Sequence, residues 1–420
     1  MKKTVNHILA AGLLALLSLA SCTDEFIEGN DLQGVDRDKR VEVRLPFGVG
    51  RGITTTITTR AAGGEIDYDS QLSGVMAFVY EAKSDNPEEN ELLAYHLFSN
   101  PSNKPLEGAT GGWIADNDDP TCGEIKFYVP VGDVYIYLLG NAQSSFLNFF
   151  PGVSGGDALG TQAEFFEKAT PKWNGNIHSV DGYLPLTGMV NNNTGLCHVN
   201  EQGQISYTDE EGKTHTLLPD GKHDEDNSFV LKRLMSKITM NIREGKGVKF
   251  TARDYTVRHI PHYVSPTAQA WTEEERDRIL VEDAKPVNFG LLDSLTFTIY
   301  LPENIRKVRS GVEITEYRQR DKVVKTADNK NTEETAPDDF HADNADNHKG
   351  HYKFEFAPKA STYIELTGWF ENADKTVAAD VRYYIHLGNF GKDLNHFSVE
   401  RDHHYTYNVT INGVDDIVVE

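Results

Sequence analysis

The sequence predicts an all-β protein built as two antiparallel β-sandwich domains with a few short helices. Three observations point there. Apolar residues fall in short alternating runs, Gly, Pro, Asn and Asp break those runs every few residues, and no apolar pattern of helical period is long. The chain has 420 residues, with 35 Gly and 16 Pro, a length suited to about two or three domains. Its 41 basic and 64 acidic side chains give a formal charge of −23. That balance excludes a nucleic-acid partner, which needs a basic face.

The first residues read as an export signal. Lys2 and Lys3 precede an apolar core from Ile8 to Ala20, shorter than the roughly 20 residues of a spanning helix. Leu19-Ala20-Ser21-Cys22 is a bacterial lipobox, so residues 1–21 are the expected signal peptide and Cys22 the expected lipid attachment site. No second apolar run of spanning length follows, and the expected membrane contact is through lipid alone. Residues 22–40 are polar, charged and Gly-interrupted, the composition of a flexible tether.

The body begins with VEVRLPFGVGRGITTTITTRA, residues 41–61. Val41, Val43, Leu45 and Phe47 share one face, with Glu42, Arg44 and Pro46 on the other, the period of a strand with one buried face. Gly48, Gly50 and Gly52 are expected to loosen the chain beyond it. A Thr-rich run then leads to Arg60-Ala61. A hydrophobic strand joined by a loose segment to a basic residue can be cut away, and cutting it leaves a groove for another subunit. The competing expectation is that 53–59, rich in β-branched residues, simply extends the strand.

Later strands follow in order. The run 75–80 is nearly all apolar, as in a strand buried on both faces, and 92–98 is its expected partner. Residues 124–129 and 134–139 flank Pro130-Val131-Gly132-Asp133 and predict a hairpin, as do 205–208 and 214–218. A short helix is expected over 162–168. The polar stretch 219–227 predicts a boundary between an N-terminal domain (41–225) and a C-terminal one (226–420). The run 229–242 predicts one long strand with a bulge near Leu234-Met235. Thr272 and Glu275 have capping-box spacing for a helix over 273–280. Strands are then expected at 294–301, 312–317, 352–356, 363–368, 381–387 and 403–411. In the last, Tyr405, Tyr407, Val409 and Ile411 share a face.

Few residues suggest chemistry. The sequence has no GxSxG, HExxH, P-loop or GxGxxG ahead of a helix, so no catalytic residue, enzyme activity or cofactor is expected. Beyond Cys22 only Cys122 and Cys197 remain. A disulfide between them suits an exported protein, and two separate buried thiols suit it equally. The acidic stretch 326–350 holds Asp338, Asp339, Asp343 and Asp346 among His341, His348 and, just beyond, His351. It lacks the EF-hand order and reads as solvated surface rather than a metal site. Trp113, Trp173, Trp271 and Trp369 allow a rival reading, a surface glycan-binding lipoprotein, although Trp in sandwiches is more often core.

Six motifs give the chain a family resemblance. They are Tyr137-Leu138-Leu139-Gly140-Asn141-Ala142, Tyr183-Leu184-Pro185-Leu186-Thr187-Gly188 and Leu231-x-Arg233-x-x-Ser236-Lys237-Ile238. The others are Tyr300-Leu301-Pro302-Glu303-Asn304, Tyr363-Ile364-Glu365-Leu366-x-Gly368 and Tyr405-x-Tyr407-Asn408-Val409-x-Ile411. In order and spacing they resemble the Bacteroidales fimbrillin (type V pilin) family, and Asp24-Glu25 resembles the surface-export signal of Bacteroidales lipoproteins. The resemblance implies two transthyretin-like sandwiches, export to the outer membrane as a lipoprotein, and cleavage by an extracellular arginine-specific protease. It also implies donor-strand exchange with neighbouring fimbrial subunits. On this sequence the released strand maps to Val41–Phe47 and the cut to Arg60-Ala61. Family stalk subunits continue past the Tyr-x-Tyr strand into a donor segment, whereas this sequence stops at Glu420. The expectation is therefore a tip subunit with a role in adhesion to a host or bacterial surface ligand. Ile417-Val418-Val419 is a candidate short donor, and an uncleaved anchor subunit is the alternative place in the same pilus.

Overall fold

Alternation in the sequence becomes a set of sheets in the structure, a computed structural model of the chain. It describes residues 36–50, 53–56, 72–101, 109, 111–116, 121–141, 147–148, 160–168, 172–178, 183–190, 194–218, 228–266, 281–291, 294–306, 308, 312–326, 340–341 and 351–419 except 392. The expected sites at Cys22, Arg60 and Ala61 lie outside these residues. So do the helix over 273–280, Trp271, and Asp338, Asp339, Asp343, Asp346 and His348.

The N-terminal half contributes β1 (Asp36–Val49), β2 (Ile53–Thr56), β3 (Gly74–Glu81), β4 (Leu92–Ser99), β5 (Trp113–Ala115) and β6 (Cys122–Gly140). Helix α1 (Gln162–Lys168) follows, then β7 (Leu186–Gly188), β8 (Leu196–Val199), β9 (Ile205–Thr208), β10 (Thr214–Thr216) and β11 (Phe229–Arg233). All of these strands except β2 join one sheet, in which β3 pairs with β4 and β6 while β8, β9 and β10 run on from β6. Strand β3 is buried along its whole length. Val75, Ala77 and Val79 face one core, and Met76, Phe78 and Tyr80 the other.

The C-terminal half contributes β12 (Met235–Glu244), β13 (Val248–Arg258), β14 (Thr296–Pro302), helix α2 (Tyr317–Arg320), β15 (Tyr363–Asn372), β16 (Ala378–His386), β17 (His403–Ile411) and β18 (Ile417–Val419). One sheet runs β14-β12-β17-β2, with β18 also on β17; the other holds β13, β15 and β16. Their apolar faces meet in one core, where Ile238, Met240, Tyr405 and Tyr407 join Tyr255, Leu366 and Tyr383. On β17 the alternation is complete: Tyr405, Tyr407, Val409 and Ile411 are fully buried.

The structure is all-β, and it departs from the expected local pattern at four places. The hairpin expected at 124–139 is one 19-residue strand, β6. Pro130 has no N–H to donate, so the ladder to β1 slips between Asp36 and Arg40 there, and Gly132 bends the backbone at φ 128°. Partners on both sides of the bend keep the strand extended, β1 before it and β3 after it. The long strand expected at 229–242 breaks at Leu234, and its two parts join different sheets. The change of sheet falls at Leu234, and the expected domain boundary at 219–227 lies outside the described residues. Third, among the described residues three pairings are parallel, β1 with β11, β12 with β17 and β2 with β17.

The fourth departure is at 312–317, where the expected strand is replaced by irregular chain leading into α2. Gln319 Oε1 accepts the N–H groups of Thr315 at 2.8 Å and Glu316 at 3.1 Å, which fixes the helix start. Arg320 then enters the core, its guanidinium 3.9 Å from the Phe397 ring centre and donating to the Leu387 and His396 carbonyls at 3.0 Å. This capture outweighs the alternation of Val312 and Ile314. Cys122 and Cys197 are both buried and unlinked.

Three histidines in this fold are expected to make it acid-sensitive. Desolvation lowers the pKa values of His178, His259 and His386 from 6.5, even though His386 Nδ1 lies 2.8 Å from Asp321 Oδ1. The folded state therefore holds these rings neutral at pH values where the unfolded chain takes up protons. Stability is present above the unfolded pKa of about 6.5 and is lost as pH falls below it. The urea midpoint is expected to be lower at pH 5.5 than at pH 7.5, and less so in His386→Asn. An unchanged midpoint in the native chain would contradict the assignment.

Candidate functional site

The first strand is the only one whose excision the sequence anticipates, and it is seated inside the first sandwich. On one edge Val41–Gly48 pairs antiparallel with Cys122–Val129 of β6. On the other, Phe47–Val49 pairs parallel with Phe229–Leu231 of β11. Since β11 joins β7 and β7 joins β6, the strands β1, β11, β7 and β6 close a ring.

Alternation decides what β1 puts inside. Val43, Leu45 and Phe47 are each 0% exposed, Val41 is half-buried, and Glu42 and Arg44 face solvent. The three buried side chains share a core with Val75, Ala77 and Val79 of β3 and with Ile125, Phe127 and Val129 of β6. Full burial of each contributes about 1.5–3 kcal/mol. Phe47 is opposite Gly123, where a Cβ would come within 3.3 Å of the ring and within 2.8 Å of the Ile114 carbonyl. Trp113 meets Phe47 edge to face at 4.9 Å. The packing around position 47 is thus shaped to a large side chain.

The glycines after β1 do not loosen the chain where it is described. Gly48 is buried within the β1–β6 ladder. The Gly50 N–H donates to the Leu231 carbonyl at 2.9 Å. Arg233 Nη1 donates to the Gly50 carbonyl at 3.0 Å and to Asp402 Oδ1 at 2.6 Å. This ion pair is largely enclosed, with side-chain exposures of 9% and 12%, and burial pushes the Asp402 carboxyl above its usual range against the pull of Arg233. Beyond it, β2 neither extends β1 nor stays in the first sheet. Ile53–Thr56 pairs parallel with His403–Thr406 of β17, in the second sandwich.

Sequence reasoning missed this seam. One signal was available: Phe229, Leu231 and Arg233 alternate onto one face, and an Arg on an apolar face implies a buried partner. Nothing in the sequence names Asp402 as that partner. Ile417–Val419, the candidate donor, is paired with Val409–Ile411 of its own chain, and Val419 is buried. Of the tryptophans, Trp173 is buried, Trp113 covers Phe47 and Trp369 is exposed. Among the described residues no group of three or more His, Cys, Asp or Glu is arranged to hold a metal, and no helix is long and apolar enough to cross a membrane.

Comparison with known proteins adds two findings. Residues 299–409 match the family model described as a domain of unknown function, DUF4906. Among solved structures, the chain is similar to the C-terminally truncated tip fimbrial protein Mfa3 of Porphyromonas gingivalis. The identity is 13%, over 91% of this chain and 98% of that one, with a TM-score of 0.44. A candidate cell adhesion protein of Parabacteroides distasonis has 11% identity over 90% and 96% of the chains and a TM-score of 0.46. One from Bacteroides eggerthii has 10% identity over 93% and 97%, and a TM-score of 0.42. Scores below 0.5 mark a loose likeness of architecture, and no function follows from them. No curated protein matches the chain.

Proposed function

We propose that this chain is a structural subunit of a cell-surface fimbria whose first strand holds the place of a strand from a neighbouring subunit. Lipid on Cys22 holds the precursor at the outer membrane. Cleavage after Arg60 by an arginine-specific protease frees the segment bearing Val41, Val43, Leu45 and Phe47, and a donor strand fills the groove. The observation that carries the reading is the seating of β1, an N-terminal strand laddered to β6 and β11 with three side chains wholly inside the core. β-Strand addition supplies such a replacement with backbone hydrogen bonds and alternate pockets. A vacant groove is an adhesive edge, so the precursor keeps its own strand until export is complete. Its place in this reading is the fibre tip, where it serves adhesion, because the candidate donor Ile417–Val419 is paired with Val409–Ile411 of its own chain. The chain is not an enzyme in this reading.

The test is the N-terminal residue of the protein recovered from intact cell surfaces. The expected residue is Ala61, with the lipidated Cys22 form confined to unassembled precursor. A surface population that begins only at Cys22 would overturn the proposal in favour of a lipid-held binding protein or an uncleaved anchor.

A further inference from the structure

Away from the first strand, the second sandwich carries an exposed aromatic beside an open pocket. Trp369 on β15 is 42% exposed. Register places Thr251 of β13 opposite it on one side and Asp380 of β16 on the other. Arg253, where the register of β13 slips between Ala252 and Asp254, reaches across β15 to pair with Asp380. Arg382 stands two residues beyond Asp380 on the same face, a diagonal neighbour of Trp369 at about 7–8 Å.

Arg382 is also a wall of the pocket, which lies between α2, β16 and the approach to β18. Its volume of about 490 Å³ is in the range of small-ligand sites. The charged lining is balanced, with Glu316, Asp321 and Asp415 against Arg318, Lys322 and Arg382, in a chain whose formal charge is −23. Several of these charges are held by partners. Arg382 Nε is 3.2 Å from Glu365, Asp321 Oδ1 is 2.8 Å from His386 Nδ1, and Lys322 pairs with Glu355. The Tyr383 hydroxyl donates to the Gly413 carbonyl at 2.6 Å, which ties the loop bearing Asp415 to β16.

A lining of this kind offers donors and acceptors without a net charge to attract an ion. Neutral hydroxyls, each both donor and acceptor, can use both kinds. The indole beside the pocket is a flat apolar surface that fits the C–H face of a sugar ring. Thr251, Asp380, Arg253 and Arg382 around it are polar, which suits hydroxyls at the rim of that ring rather than the apolar side chains of a peptide. We infer that this face is a binding site for a neutral oligosaccharide, with one sugar ring stacked on Trp369 and the next hydrogen-bonded by Arg382, Lys322 and Asp415 in the pocket. The site lies in the second sandwich, outside the channel of β1, so it goes beyond the strand exchange proposed above and does not rest on it.

The test presents the labelled full chain to an array of neutral oligosaccharides of glucose, galactose, mannose and N-acetylglucosamine, beside sialylated and sulfated counterparts and a set of extended peptides. The neutral sugars are expected to carry the binding, with an affinity that changes by less than about twofold between about 0.05 and 0.5 M salt, a range over which charge pairs are strongly screened. Trp369→Ala, at an exposed position where folding is not in question, is expected to weaken binding about tenfold or more, as loss of an aromatic anchor does. Lys322→Ala and Asp415→Asn, also exposed, are expected to weaken it about threefold to tenfold, the effect of one lost hydrogen bond. Tyr128→Ala, at an exposed aromatic of the first sandwich, is expected to leave it unchanged. Preference for the charged sugars or the peptides, binding that survives Trp369→Ala, or no binding to the neutral sugars would each overturn the site.

Discussion

Phe47→Ala is expected to lower the stability of the first sandwich by about 3–5 kcal/mol, the usual cost of deleting a buried Phe side chain. The ring is 0% exposed, and Trp113 stands edge to face on it at 4.9 Å. Collapse around the vacated space is limited, because Gly123 opposite has no side chain to move and the surrounding β6 is held by ladders on both edges. Leu45→Ala is expected to cost about 2–5 kcal/mol for the same reason. Arg44→Ala, whose side chain faces solvent on the same strand, is expected to stay within about 0.5 kcal/mol. Urea unfolding followed by a signal from the first sandwich checks this, since a chain of this size need not unfold in one step. A loss below about 1 kcal/mol for Phe47→Ala would mean that β1 is not part of the folding core.

The contrast between Phe47 and Arg44 was legible in the sequence, because a strand of period 2 with one buried face sorts its own residues. The same rule located β17, down to its buried face, whereas β3 was marked by its unbroken apolar run, β4 as the partner of that run, and the 205–208 and 214–218 hairpin by the polar turn between its strands. Partner choice was not legible. Alternation states that Glu124–Val129 and Val134–Leu139 are strands, but not that a bend at Gly132 joins them into one, with β1 on the first part and β3 on the second. The β-branched composition of 53–59 likewise reads as β-forming without saying that Ile53–Thr56 lies against His403–Thr406 in the other sandwich. At 312–317 the local pattern was outweighed by a distant one, the pocket of carbonyls and rings that holds Arg320. Of the candidate site, the buried residues of β1 were readable. The Arg233–Asp402 seam was not, because its members are far apart in the chain and only folding brings them within 2.6 Å.

The second large effect is all or none. Arg60→Ala is expected to leave a lipidated, fully folded protein that begins near Cys22 and stays out of polymers. Its β1 remains tethered, and a strand held covalently in its own groove faces an incoming donor with a very high effective concentration. Cleavage removes that advantage, and departure of the segment gains chain entropy. Folding should be untouched, so the urea midpoint of the variant should equal that of the uncut native precursor. The direct measurement is the polymer fraction of Arg60→Ala on cells, read together with the N-terminal residue of the recovered chain. The account predicts no incorporation and a chain starting near Cys22; normal incorporation with a mature chain that still begins at Ala61 would contradict it.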